Sequence, residues 1–176
     1  MRLTIWTWAA ILSLGLFCGS AYARSSLWLP VVENPYCAIT TYLYPELPEQ
    51  AMSTIDRDDQ PAIVLSATTM RKSRPYANFL MAHECCHHTL GHVGRYRREL
   101  GHMGPQPFFY IAPALKGMEL EADCCAVRIL KLKKRPDSIE AALQTMAAFG
   151  TKATGAHYPT GIERSEYIAE CVARAE

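Results

Sequence analysis

The pattern of hydrophobic and polar positions divides the chain into short strand-like runs and longer helix-like segments. Residues 36–44 (YCAITTYLY) and 62–67 (AIVLSA) are rich in residues that favour extended backbone, so both are predicted to be strands. The polar stretch 52–60 between them is predicted to be a turn. In residues 115–132, apolar side chains recur every three or four positions, which is typical of a helix with one buried face.

Three further helices are predicted from the residues that begin and end them. Proline favours the first helical position, glycine ends a helix, and Thr160 with Glu163 has the spacing of a capping box. These signals place the helices at Pro75 to about Gly91 or Gly94, Pro136 to Gly150, and Thr160 to about Ala175. The segment 95–113 is punctuated by Gly and Pro and is predicted to be either a substrate-side loop or a long connection.

These elements together predict an α+β fold in a single domain, mainly helical with a small β-sheet. The 176 residues are enough to build one hydrophobic core. The formal net charge of +1 gives no sign of a nucleic-acid partner, because proteins of that kind carry a strongly basic surface.

The N-terminal residues have the features of a secretory signal peptide. A positively charged start precedes the uncharged apolar run 3–17, and small residues follow at Ala21 and Ala23. We therefore predict a signal peptide at 1–23 and a mature domain at 24–176, exported to the periplasm or secreted. The apolar run is short for a membrane span, which needs about 20 residues, so no stable span is expected after cleavage. An uncleaved membrane anchor is the alternative.

Residues 82–88 (AHECCHH) contain a His-Glu-x-x-His motif in the first of the long predicted helices. His83 and His87 are four residues apart, so their imidazoles lie on one helix face and can bind the same ion. Glu84 lies about 100° further round the helix, beside such an ion, where it can act as a general base. The alternative is a buried helix with hydrogen-bonded histidines. His88 points away from the ligand face and is predicted to be structural.

The predicted helix 115–132 carries two carboxylates beside its apolar face. Glu119 and Asp123 are four residues apart, and burying them is costly unless a cation or hydrogen-bond donors compensate. A metal ion would compensate Glu119 as its third ligand, and Asp123 could then orient a ligating histidine through the second ring nitrogen. The alternative is an exposed face paired with Arg or Lys, which Glu121 fits better than Glu119 and Asp123 do.

The combined motifs are similar to those of the gluzincin metallopeptidases, and most of all to the HtpX-like and CAAX prenyl protease group. The likeness spans roughly residues 60–170. It includes the His-Glu-x-x-His motif with His92 nine residues after the first His, the Glu-Leu-Glu-Ala-Asp of 119–123, and the late segment 157–164 (HYPTGIER). Tyr158 separates the His from the Pro of that last segment, which is a departure from the family pattern.

The resemblance implies a zincin-like fold, in which the strand 62–67 lies over the active helix and offers its edge to an extended substrate. It also implies a set of site residues: His83, His87 and Glu119 as ligands of one Zn²⁺, Glu84 as general base, and His157 or Arg164 as the group that steadies the oxyanion or a substrate carboxylate. The membrane members of the family have transmembrane helices that this chain lacks beyond the signal, which argues against a membrane-embedded substrate.

The cysteines are predicted to form disulfides, because an exported chain meets an oxidising compartment. Loss of Cys18 with the signal would reduce the seven cysteines to an even set: Cys37, Cys85, Cys86, Cys124, Cys125 and Cys171. The two metal-bearing helices must converge on one ion, so at least one bond is predicted between Cys85-Cys86 and Cys124-Cys125. By elimination, a Cys37–Cys171 bond is also predicted. Cysteine-ligated zinc is the less favoured interpretation, since no Cys-x-x-Cys occurs.

Two functions of different classes fit these features. The first is an exported zinc metalloendopeptidase, which hydrolyses a polypeptide substrate with zinc-activated water and Glu84 as base. The second is a non-catalytic envelope protein, in which zinc and disulfides stabilise a scaffold that binds other proteins. A three-ligand site with a glutamate beside it favours the enzyme, since structural zinc is usually held by four protein ligands.

Overall fold

The structure is a computed structural model that describes residues 29–100, 108–155 and 158–174. The fold is α+β, as predicted, and these ranges contain one four-stranded sheet and six helices. The predicted signal peptide, 1–23, lies outside the described residues.

The strands form one mixed sheet in the order β1-β2-β4-β3. Their bounds are β1 (Val31–Val32), β2 (Thr40–Tyr44), β3 (Ala51–Ile55) and β4 (Pro61–Ser66). β4 runs parallel to β2 and antiparallel to β3, with Ile63 opposite both Thr41 and Ser53. Because β4 is held on both sides, three of its residues, Ile63, Leu65 and Ala62, are almost fully buried.

Two expectations for the strands are wrong. Residues 51–55 are a strand, although 52–60 was predicted to be a turn. The turn is confined to the residues after Ile55, where the Asp56 carboxylate accepts hydrogen bonds from the backbone N–H groups of Asp58 and Gln60. Strand β4 was expected to offer a free edge, but it is internal to the described sheet, between β2 and β3, and β3 is an edge strand. Both β3 and β4 pack against α2. The predicted strand 36–44 is confirmed only from Thr40 onward.

The helices are α1 (Ala67–Lys72), α2 (Arg74–Thr89), α3 (His92–Leu100), α4 (Phe108–Leu132), α5 (Pro136–Phe149) and α6 (Gly161–Arg174). The predicted helices over 75–91, 136–150 and 160–175 are confirmed. The segment 95–113 is not a loop throughout, because α3 occupies its first part and α4 begins at Phe108 and includes Pro113.

Local capping chemistry explains where the confirmed helices begin and end. The Ser73 hydroxyl accepts a hydrogen bond from the Tyr76 backbone N–H at the start of α2. Thr160 and Glu163 form the predicted capping box, with the Thr160 backbone N–H donating to the Glu163 carboxylate and the Glu163 N–H donating to the Thr160 hydroxyl. Gly150 ends α5 with a φ of 58°, a value that glycine adopts without strain.

Helix α2 is the centre of the molecule. Every residue from Tyr76 to Cys86 is buried, because α4, α5 and the sheet cover different faces of this helix. A helix that is enclosed on all sides has little freedom to shift or fray. The histidines of its C-terminal half are therefore presented from a fixed backbone.

Three disulfides join the elements that surround α2. They are Cys37–Cys85, Cys86–Cys125 and Cys124–Cys171. The predicted bond between the two cysteine pairs is confirmed as Cys86–Cys125, which ties α2 to α4. The predicted Cys37–Cys171 bond is wrong, because adjacent residues on a helix point about 100° apart and so each pair of cysteines serves two different neighbours.

No described helix is long and apolar enough to cross a bilayer.

Candidate metal centre

Helices α2 and α4 bring the three predicted metal ligands together. The Nε2 atoms of His83 and His87 are 3.0 Å apart on successive turns of α2. Glu119 of α4 faces both rings, with Oε2 3.4 Å from His83 Nε2 and Oε1 3.3 Å from His87 Nε2. One ligand atom of each residue lies within 4.8 Å of the others, so this group could hold a metal ion.

The distances between the two histidine nitrogens, and from each of them to its nearer Glu119 oxygen, are close to those around a tetrahedral ion. Zinc bonds to nitrogen and oxygen of about 2.0–2.2 Å place neighbouring tetrahedral ligand atoms roughly 3.3–3.6 Å apart. The observed separations of 3.0–3.4 Å are close to that range. Three protein ligands leave one tetrahedral position for another molecule, as in catalytic zinc sites. Two imidazoles and one carboxylate are a donor set that binds several first-row divalent metals, zinc and iron(II) among them.

Burial and charge act in opposite directions on the titratable groups of this cluster. Burial alone would raise the pKa of Glu119, but the hydrogen bonds and positive charges of His83 and His87 lower it well below its usual range. Burial disfavours the His83 imidazolium, yet its contacts with Asp123 and Glu119 outweigh burial and raise the pKa of His83 to about 10. In the metal-free protein the buried carboxylates are therefore paired with a protonated His83 at neutral pH.

Asp123 contacts the outer nitrogen of His83, as predicted for an orienting carboxylate. Its Oδ1 lies 2.9 Å from His83 Nδ1, a close ion-pair contact rather than a well-aligned hydrogen bond. Asp123 is fully buried and accepts two hydrogen bonds from Arg164, at 2.8 Å and 2.6 Å. Burial opposes its ionisation, but the Arg164 charge outweighs burial and lowers the pKa of Asp123.

The structure places Arg164 beside two carboxylates of the site. Besides its bonds to Asp123, its Nη1 lies 3.6 Å from Glu119 Oε2 and 3.3 Å from the Thr154 hydroxyl. Arg164 as a whole residue is 5% exposed. Its expected role at an oxyanion or substrate carboxylate stays a prediction, as does that of His157, which lies outside the described residues.

Glu84, the predicted general base, is held from the sheet. The Ser53 hydroxyl of β3 lies 2.6 Å from Glu84 Oε2 and 2.8 Å from the Glu84 backbone oxygen. A serine hydroxyl has one hydrogen, so these two acceptors share one donor. Sequence reasoning missed Ser53, because the segment that contains it was predicted to be a turn.

Two other histidines of the region have different surroundings. His88 is not in the ligand cluster, as predicted, and its Nε2 lies 3.1 Å from the backbone oxygen of Ala62 in β4. His92, at the start of α3, is buried, and its Nδ1 lies 3.1 Å from His87 Nδ1. Its Nε2 lies 3.1 Å from Glu121 Oε2. Burial, followed by the positive charge of His87, lowers the pKa of His92.

Tyr158 is a further residue near the site that sequence reasoning noted only as an interruption of the late motif. Its side chain is 36% exposed. Burial, followed by the negative charges of Glu119 and Glu84, raises the pKa of its hydroxyl.

No protein family, curated protein or solved structure matches the chain.

Proposed function

We propose that the protein is an exported zinc-dependent metalloendopeptidase with a zincin-like fold of the gluzincin type. The observation that carries this proposal is the convergence of His83, His87 and Glu119 at 3.0–3.4 Å, with Glu84 adjacent to His83 on the same buried helix. The likeness of the motifs to those of the HtpX-like and CAAX prenyl protease group supports the same reading.

In this proposal each residue has a distinct task. His83, His87 and Glu119 would hold one Zn²⁺, which acts as a Lewis acid and makes water a nucleophile at neutral pH. Glu84 accepts the proton of the attacking water and passes it to the leaving amine. Ser53 keeps the Glu84 carboxylate in place through its 2.6 Å contact.

The substrate we propose is a polypeptide in extended conformation. Strand β3 contributes Ser53 to the site and is the last strand on its side of the described sheet. Backbone groups on an unpaired strand edge can bind an extended peptide as an additional strand. A peptide bound there would run beside Glu84, the base that the reaction requires.

The site residues also offer support to the alternative function. His83, Glu84 and Glu119 are 3–6% exposed, so the cluster is largely enclosed, as in a structural metal site. Together with three disulfides, a metal ion there would stabilise an envelope scaffold that binds other proteins. Disulfides of this kind fit the oxidising compartment of an exported protein in both cases.

The variant Glu84→Gln separates enzyme from scaffold. The amide has nearly the shape of the carboxylate but cannot take up the proton of water, so hydrolysis should fall by at least about 100-fold while zinc and thermal stability are retained. The measurement is cleavage of an unfolded-protein or peptide-library substrate, with zinc content determined on the same samples. Glu140→Gln, at an exposed glutamate of α5, is the matched control and should match wild type.

Unchanged hydrolysis in Glu84→Gln would refute the proposed mechanism. A wild-type protein that binds one zinc and cleaves nothing in the library would favour the scaffold.

A further inference from the structure

The two ring nitrogens of His87 have different neighbours: one faces the candidate metal centre, and the other faces a second histidine. Its Nε2 points to Glu119 and His83, while its Nδ1 lies 3.1 Å from His92 Nδ1. His92 in turn directs Nε2 at Glu121 Oε2, at 3.1 Å. Three elements, α2, α3 and α4, thus contribute to one row of hydrogen-bonding groups.

The row has one arrangement of hydrogens that satisfies every contact when His87 binds a metal. A neutral imidazole carries one N–H, and a metal at Nε2 leaves that hydrogen on Nδ1 of His87. His92 must then accept at Nδ1, so its own hydrogen is on Nε2, where it donates to the carboxylate of Glu121. Carboxylates accept and do not donate, so Glu121 selects this tautomer of His92.

The opposite tautomer of His92 is unfavourable on both sides. Its Nδ1–H would point at the Nδ1–H of His87, and its Nε2 lone pair would face the Glu121 carboxylate. Since His92 is 3% exposed, water has little access to relieve such contacts.

From this arrangement we propose that His92 and Glu121 are positioning residues, which fix the tautomer and ring orientation of His87 for metal binding. The inference rests on the proposed zinc site, whose other histidine is supported separately by Asp123. Outer partners of ligating histidines typically change metal affinity about 10- to 100-fold when removed.

The two positioning residues differ in exposure, which predicts a graded effect. Glu121 is 59% exposed, so water can accept from His92 Nε2 when the carboxylate is removed. His92 is buried, and its removal leaves the Nδ1–H of His87 without an acceptor. The loss of affinity should therefore be larger for His92→Phe than for Glu121→Ala, and smallest for Glu121→Gln, whose amide oxygen still accepts.

The experiment measures zinc affinity of the full mature chain by competition with a chromophoric chelator. We expect His92→Phe to bind zinc about 10- to 100-fold more weakly than wild type. Glu121→Ala should weaken binding by a smaller factor, and Glu121→Gln should restore most of it. The visible spectrum of the Co²⁺-substituted protein should change in His92→Phe, because the orientation of a ligand changes. Glu140→Ala, at an exposed glutamate of α5, should leave both readouts unchanged.

Wild-type affinity and an unchanged Co²⁺ spectrum in both His92→Phe and Glu121→Ala would overturn the inference and leave the proposed zinc site standing. If His92→Phe does not fold, Glu121→Ala decides alone, and unchanged affinity there overturns it. A wild-type chain that binds no zinc would overturn the proposed function and this inference together. Metal-free thermal unfolding of each variant distinguishes weaker metal binding from a general loss of stability.

Discussion

Asp123 and Arg164 form an ion pair that is removed from water on all sides. Asp123 is fully buried and Arg164 is 5% exposed. Arg164 and Asp123 are each other's shortest charged contact, and loss of one partner leaves the other buried charge with weaker compensation, from His83 for Asp123 and from Glu119 for Arg164. The chain also contains a surface pair of the same two residue types, Arg135 with Asp137, at 2.9 Å. These pairs allow the effect of burial to be measured with the chemistry held constant.

We expect Asp123→Ala to lower the free energy of unfolding by about 3–5 kcal/mol, because buried Arg164 loses both hydrogen bonds to Asp123 and keeps only the longer 3.6 Å contact with the Glu119 carboxylate. The matched variant Asp137→Ala should change it by about 0–1 kcal/mol, since water screens the exposed Arg135. Urea denaturation of the metal-free proteins measures both values without a contribution from zinc. Equal losses in the two variants would contradict the importance of burial at Asp123.

The inward position of Asp123 could be predicted from sequence, whereas its partner could not. Spacing along α4 places Glu119 and Asp123 beside the buried face, and local periodicity is enough to find them. Arg164 is 41 residues away in the chain and meets Asp123 only because α6 packs against α4. Sequence spacing carries no information about such a contact.

Among the helices and strands, those with local start and stop signals were predicted well. The capping box at Thr160, the proline at the start of α2 and the glycine after α5 act within one turn of the chain, so their effect is readable without the fold. The segments that were missed are β1, β3, α1 and α3. Helix α1 does have a local start signal, because the Ser66 side chain accepts a hydrogen bond from the Thr69 backbone N–H, but Ser66 was assigned to the preceding strand only. Residues 51–55 (AMSTI) become a strand by pairing with β4, which is a tertiary interaction.

Strand β3 contacts Glu84, the proposed general base, through the Ser53 hydroxyl. Ser53→Ala should therefore reduce peptide hydrolysis by roughly 10-fold, a part of the roughly 100- to 10,000-fold that a positioned base contributes. Zinc content should stay at the wild-type level, because Ser53 does not contact His83, His87 or Glu119 in the cluster.

Thr54→Ala is the control for this variant. Its side chain contacts the backbone of Ile55 rather than the site, so the strand loses a hydroxyl without loss of the contact to Glu84. Equal rates in Ser53→Ala and Thr54→Ala would show that β3 does not position the base.

For the molecule as a whole, the charged cluster couples folding to pH when metal is absent. The pKa of His83 is raised from 6.5 to about 10, because its contacts with Asp123 and Glu119 outweigh the opposing effect of burial. A group whose pKa is higher in the folded than in the unfolded protein stabilises the fold fully at pH values below its unfolded-state pKa. This stabilisation is lost as the pH rises through its folded-state pKa. Glu119 has the opposite effect at acid pH, because its pKa is lowered from 4.5 in the folded protein. Its contribution to stability is complete above pH 4.5 and is lost as the pH falls through the lowered folded-state pKa.

The contribution of His83 and Glu119 to the stability of the chelator-treated protein should therefore be greatest between pH 4.5 and 6.5. That contribution should fall as the pH rises towards 10. Urea denaturation over a series of pH values measures the change. His83→Gln should lack the alkaline decline, because no imidazole titrates at that position. The same decline in His83→Gln would assign it to another group.

The three disulfides close overlapping or adjoining loops along almost the whole described chain. The loops are closed by Cys37–Cys85, Cys86–Cys125 and Cys124–Cys171. Between Cys37 and Cys171, the peptide bond that joins Cys85 to Cys86 is the only one that no disulfide-closed loop contains. This bond lies inside the buried helix α2. A single proteolytic nick anywhere else in that span would leave its two fragments covalently joined. Such damage would be invisible on a non-reducing gel and would appear as new bands only after a thiol is added.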